Sequence, residues 1–212
     1  MIRFLIFSTL VLFISCKGNK TEKLDHVEIV FYKDGRTSVY IGEDFFENQV
    51  ANGLNTEGVN LAKEGYFEQA KNKFLKGLEI EPENPCLINN LGNTEHELKN
   101  YKIATSTFEK SLAISDSTYL NAGLNLGLLY WKDYEFEKSA KILEYVLSKS
   151  TKKYEIAAAH LQLARTYLDM NKCKKAKSQL SRAKASWKGI SGFEKRLKKL
   201  NNEVKNCVQH GV

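Results

Sequence analysis

The sequence has none of the short strings that usually carry catalysis: no HExxH, no GxSxG and no P-loop occur in its 212 residues. Its four histidines, His26, His96, His160 and His210, are scattered, and no two of its four cysteines stand in CxxC spacing. Metalloprotease, serine hydrolase and nucleotide sites, zinc clusters and dithiol redox centres each depend on one of those arrangements. The reading is of a protein that is not an enzyme and has no cofactor or metal. A long apolar run is missing too. Phe4 to Ile14 is interrupted by Ser8 and Thr9 and is too short to span a bilayer as a mature anchor.

Acidic residues are scarce at one end. From Lys172 to Lys205, twelve Lys or Arg stand against only Glu194 and Glu203. Of the formal charge of +7, that end carries about +10 and everything before it about −3. A basic balance invites a nucleic-acid partner. Confinement of the charge to the end of the chain, together with the export signal read below, argues against one.

What the chain does have is a pattern that returns. Gly58, Phe67, Ala70, Phe74 and Leu78 are followed 34 residues on by Gly92, Tyr101, Ala104, Phe108 and Leu112. A third copy, 35 residues further, has Gly127, Phe136, Ser139, Leu143 and Leu147; a fourth, 37 beyond that, has Ala164, Cys173, Ala176, Leu180 and Lys184. Small residues on two successive short helices let their backbones approach, and bulky residues fill the space beside the crossing. One such pair cannot bury its apolar face alone, so copies stack.

At Asn90-Leu91-Gly92 and Asn125-Leu126-Gly127 the residues resemble the first-helix signature of the tetratricopeptide repeat (TPR), and Ile80-Glu81-Pro82 resembles the turn that closes a repeat. Copy three departs with Ser139 where Ala is usual; copy four has Cys173 where an aromatic is usual and no closing Pro. The resemblance covers about residues 51–187. It implies an all-α TPR helical solenoid of about four helix-turn-helix repeats, over 51–84, 85–118, 120–153 and 157–190. Gly189-Ile190-Ser191-Gly192 marks a break, with Ser191 available as an N-cap. Phe193, Leu197, Leu200 and Val204 then form an apolar stripe that predicts a capping helix over 191–207.

Helical register assigns four residues of each first helix to the inner face of such an array. They are Asn52, Asn55, Val59 and Ala62; Cys86, Asn89, Asn93 and His96; Asn121, Leu124, Leu128 and Trp131; Ala158, Leu161, Arg165 and Leu168. The candidate groove runs from amides at Asn55, Asn89, Asn93 and Asn121, which suit the backbone of an extended peptide, to Leu124, Leu128, Trp131 and Leu161, which suit an apolar anchor. A protein or peptide partner is expected there. Arg165 is the one basic residue among these sixteen positions, so the carboxylate-holding activity of some TPR proteins is not implied.

The N-terminus reads as an export signal. Arg3 precedes the apolar run, and Phe13-Ile14-Ser15-Cys16 resembles the bacterial lipobox, in which the cysteine is lipidated and becomes the first mature residue. Residues 1–15 are then a signal peptide and 16–25 a polar tether. Lipid on Cys16 holds the chain at a membrane of the bacterial cell envelope, and Lys17 favours the outer membrane, facing the periplasm. Residues 26–50 contain two β-prone runs, His26–Tyr32 and Thr37–Ile41, around Asp34-Gly35, which predicts a small β-hairpin and a lead-in. The hairpin either covers the first helix pair or offers an edge to a partner.

In an oxidising compartment the remaining cysteines bear on structure. If the last helix packs antiparallel to the one before it, Cys207 returns beside Cys173 and a disulfide follows; Cys86 is then left over, either buried or able to pair with another chain. The function read from all this is a membrane-anchored TPR lipoprotein serving as a protein- or peptide-binding scaffold. The alternative is a structural envelope protein whose basic C-terminal helix binds anionic lipid or cell-wall polymer.

Overall fold

In the computed structural model the described residues are 10–11, 27–31, 37–41, 46–116, 118–186 and 194–210. Apart from Leu10 and Val11, the signal and lipobox around Cys16 lie outside them, as do the tether, the Asp34-Gly35 turn and the Ser191 cap. Strands β1 (Leu10–Val11), β2 (Val27–Phe31) and β3 (Thr37–Ile41) form a sheet of order β1-β3-β2. β2 and β3 pair antiparallel with Ile29 opposite Val39, and β1 pairs parallel to β3.

The chain divides into two compact units, Met1–Tyr119 and Leu120–Val212. In the first, α1 (Gln49–Glu64), α2 (Phe67–Ile80), α3 (Pro85–Glu97) and α4 (Tyr101–Ile114) are two helix pairs. In the second, α5 (Asn121–Lys132), α6 (Phe136–Lys149), α7 (Lys153–Asp169) and α8 (Cys173–Ser186) are two more, followed by α9 (Glu194–His210). No described helix is long and apolar enough to cross a membrane.

Local chemistry fixes where these helices start and stop. Asn48 caps α1, its Oδ1 accepting from the backbone N–H of Val50 at 2.8 Å and of Ala51 at 3.3 Å. Asn84 does the same for α3, accepting from Cys86 at 3.0 Å and Leu87 at 3.1 Å. Pro85 takes the first helical position of α3, where its missing N–H costs nothing.

The end of each first helix closes in one recurring geometry. Gly65, Lys99, Tyr134 and Asn171 all have positive φ, at 88°, 66°, 61° and 56°. They stand at one register position, spaced as the repeats are. In each, the next residue's N–H reaches back over the turn: Tyr66 to Leu61, Asn100 to Glu95, Glu135 to Tyr130 and Lys172 to Tyr167, at 2.8–2.9 Å. This is the Schellman closure, which needs a left-handed residue. Only the first copy supplies glycine; the other three carry a side chain at a cost of about 1 kcal/mol each.

The helix pairs cross at the repeated glycines. A Cβ on Gly58 would lie 2.6 Å from Phe74, one on Gly92 2.7 Å from Phe108, and one on Gly127 2.7 Å from Leu143. Phe74, Phe108 and Leu143 are themselves fully buried and cannot swing away. Val59, Ala62, Ala70, Phe74 and Leu87 form one core cluster of the first unit, with Phe46 and Phe67 packed against it. Val59 and Ala62, assigned above to the inner face, are therefore core residues, because the crossing with α2 turns that side of α1 inward.

Ser139, the departure in copy three, is buried without penalty. Its Oγ donates to the Gly127 carbonyl at 2.8 Å and lies 3.1 Å from Thr166 Oγ1, so it ties α6 to both α5 and α7. Across α8, Ala176, Leu180 and Ala183 are buried, and α9 contributes Leu200 and Val204.

Gly92→Ala should lower stability by about 1–3 kcal/mol through overpacking against Phe108. Gly53, whose Cβ would meet nothing within 4 Å, gives the control: Gly53→Ala should raise stability by about 0.5–1 kcal/mol through lost backbone freedom in the unfolded chain. Urea midpoints of the two variants check both signs.

Candidate functional site

The amide-rich face of the first unit is more deeply packed than its sequence suggested. Asn55, Asn89 and Asn93 are buried, as is Asn90 beside them. Asn90 Nδ2 donates to Asn55 Oδ1 at 2.8 Å, joining α3 to α1, and Asn89 Nδ2 donates to Asn90 Oδ1 at 3.3 Å. Asn55 Nδ2 is buried with no hydrogen-bond partner. In the second unit Asn121 is fully buried and both of its side-chain polar atoms lack a partner. Leu124 is also fully buried, whereas Leu128, Trp131, Leu161 and Arg165 keep part of their surface. The candidate contact set thus separates into interior residues and a partly open group on α5 and α7.

Polar partners hold that open group in place. Trp131 Nε1 donates to Asp169 Oδ2 at 2.7 Å. Arg165 forks on to the same carboxylate, Nε to Oδ2 at 2.9 Å and Nη2 to Oδ1 at 3.1 Å, while its Nη1 meets Glu203 of α9. Its guanidinium carbon lies 5.7 Å from the Trp131 ring centroid, within cation–π range. One cation is shared by two carboxylates. Arg165 is consequently engaged rather than poised for an incoming carboxylate. Asp169 and Glu203 were not among the residues read from the sequence. The Arg165–Asp169 spacing of i,i+4 was a signal for the first; nothing local pointed to Glu203, which α9 delivers.

Charged and titratable groups elsewhere serve packing. Lys71 Nζ reaches the buried Glu95 at 2.8 Å, and this hydrogen bond holds the Lys71 ammonium above its usual range. Asn100 Nδ2 donates to the other Glu95 oxygen at 2.7 Å. Burial, then the hydrogen bond to Glu144 at 2.5 Å, pushes the Tyr167 hydroxyl up to about 12. Burial holds His160 below the usual imidazole range, against the opposing effect of its 2.7 Å contact between Nδ1 and Gln179 Oε1. Among the described residues no group of three His, Cys, Asp or Glu side chains could hold a metal ion.

Cys173 and Cys207 are joined by a disulfide, with Cα atoms 5.5 Å apart across a loop of 34 residues. Closing a loop of that length is worth roughly 3–4 kcal/mol in the chain-entropy view, and it fixes the far part of α9 against the start of α8. Of the two readings of Cys86, buried or paired with another chain, the structure shows it fully buried on α3.

No protein-family model matches the chain. RNA polymerase II-associated protein 3 of Mus musculus is 28% identical over 109 residues, which are 51% of this chain and 16% of that protein. Among solved structures, Pseudomonas aeruginosa PilF aligns with a TM-score of 0.63 at 18% identity, over 77% of each chain. MamA from residue 41 to its end, from Desulfovibrio magneticus RS-1, aligns at 0.57 and 17% identity, over 78% of this chain and 93% of that one. The first TPR of Spaghetti (RPAP3), bound to the HSP90 peptide SRMEEVD, aligns at 0.51 and 25% identity, over 59% and 97%. The fold is an all-α TPR solenoid.

His160 gives a pH dependence. Its folded-state pKa lies below the unfolded value of about 6.5, so in acid the unfolded chain takes up a proton that the folded chain refuses. The stability it contributes is complete above that value and is lost as pH falls through it toward the folded pKa. Between pH 7.5 and 5.5 the urea midpoint of the wild type should fall by more than that of His160→Gln; equal falls would remove His160 as the cause.

Proposed function

We propose that this chain is a lipid-anchored TPR scaffold that captures a protein or peptide partner through the first-helix face of its second unit. The observation that carries the reading is the partly open set Leu128, Trp131 and Leu161, spread over two successive first helices and braced by Arg165 and Asp169. Apolar groups held in a fixed array, beside an Arg165 and Asp169 already paired with each other, suit an apolar anchor of a partner better than a charged tail. The TPR fold holds peptides elsewhere, as in the RPAP3 complex with SRMEEVD. That ligand is acidic, and the engagement of Arg165 by two carboxylates argues against the same chemistry here. Asn121 and Leu124 support this face from the interior, whereas Asn55, Asn89 and Asn93 belong to the interior of the first unit.

The tether is read from residues 1–16. An apolar leader ending at Cys16 favours a lipoprotein of the bacterial cell envelope, in the outer membrane and facing the periplasm, with 16–25 as the spacer. A scaffold role needs no catalysis, and the side-chain arrangements described favour packing over chemistry.

Crosslinking and pull-down from native cells, with wild type against a Leu128→Ala, Trp131→Ala, Leu161→Ala variant, tests the partner face. Leu124 is left intact because it is buried. A partner recovered with the wild type and lost with a variant of unchanged helical content supports the reading; recovery that is indifferent to the three changes rejects it. Separately, labelled palmitate should enter the wild type and not Cys16→Ser, and equal labelling would exclude Cys16 as the anchor site.

A further inference from the structure

The cations of this protein fall into two kinds. Before α8 acidic residues are interspersed with them and several are matched: Lys71 to Glu95, Lys73 to Glu57, Lys138 to Glu135, Arg165 to Asp169. On α8 they are not. No acidic residue occurs between Asp169 and Glu194, an interval that holds Lys172, Lys174, Lys175, Lys177, Arg182 and Lys184 within the described residues. All six are exposed, and among the described residues none is in an ion pair. Lys175 lies 5.3 Å from the Tyr167 ring centroid and Lys184 donates to Asn201 at 2.7 Å, contacts that orient the two ammonium groups and leave their charge uncompensated.

The placement of these charges follows from the packing of the helix. Ala176, Leu180 and Ala183 make the buried stripe of α8, and at 100° per residue the five cations within the helix occupy the opposite half of its circumference. The disulfide to Cys207 and the packing of Leu200 and Val204 hold α9 alongside, where Lys198, Lys199 and Lys205 are exposed as well. The result is a rigid, outward-turned cationic surface about 20 Å long.

We propose that the outer face of α8 docks on an anionic lipid bilayer. Three features choose a bilayer over a nucleic acid or an acidic peptide. The cations spread over a convex helix face and do not line a groove that would track a single strand. α8 contains no aromatic residue on which a base could stack. Long, flexible, singly charged lysines dominate, which suit the diffuse negative potential of a lipid surface, where each adds about 1 kcal/mol of attraction. The surface is distinct from the Trp131 face, so this inference stands or falls independently of the proposed partner binding.

The test uses the full chain with vesicles of phosphatidylcholine alone and of phosphatidylcholine containing one part in three of phosphatidylglycerol. Attachment through the apolar leader adds equally to both, so the difference between them reads the charged face. Wild type should partition at least about tenfold more strongly on to the anionic vesicles, and salt at about 0.5 M should abolish the excess. Replacing Lys174, Lys175, Lys177, Arg182 and Lys184 by Gln should remove the excess and leave the helical content unchanged, since all five side chains are exposed. Equal partition to both vesicles, or an excess that survives the five changes, overturns the inference. Tighter, salt-sensitive binding to duplex DNA than to the anionic vesicles overturns it in favour of a polymeric partner.

Discussion

The contact of Gly58 with Phe74, repeated at Gly92 with Phe108 and at Gly127 with Leu143, is the constraint on which the remaining architecture depends. A first helix that approaches its second so closely admits no side chain at the crossing, and the large residue it meets is locked by its own burial. Once the pair is fixed at that distance, the rest of each repeat follows. The small residue on the second helix, Ala70, Ala104, Ser139 or Ala176, is buried completely. The reversal between helices must be tight enough to return the chain within two or three residues, and that tightness forces a left-handed residue into each turn.

The periodic residues were legible because they answer to one geometric demand repeated four times. Spacing alone gave the helix pairs and the position of the terminal helix. The residues that set the turns were not legible, because Gly65, Lys99, Tyr134 and Asn171 share a conformation and no chemistry. The closure bonds are strong enough together to hold a tyrosine or a lysine where glycine would be easier. The inner face was read only in part for a related reason. Register shows which way a side chain points along its own helix, but the depth at which it lies depends on its neighbours. Val59 and Ala62 fall into the core, and Asn55 and Asn121 are buried, while Trp131 and Leu161 retain access.

Long-range polar contacts were the least accessible to pattern. Glu203 reaches Arg165 across 38 residues, and Glu95 is clamped by Lys71 from one helix and Asn100 from a turn. In each case a buried or half-buried charge is satisfied by groups that no local rule pairs. Ser139 shows the converse: a departure from the family pattern that looks like a weakening becomes a bridge, because its hydroxyl finds both a carbonyl and a second hydroxyl.

The setting of Trp131 has a further consequence. The chain holds two tryptophans, Trp131 and Trp187, and the indole of Trp131 is bonded to a carboxylate and flanked by a guanidinium. An indole's emission responds to the electric field along its ring and to its exposure to water, and both are fixed here by groups on α7. Anything that settles against α5 and α7 displaces water from that ring and alters the field around it. The protein therefore carries a built-in optical reporter at the face assigned to its partner, and occupancy can be followed by intrinsic fluorescence without attaching a label.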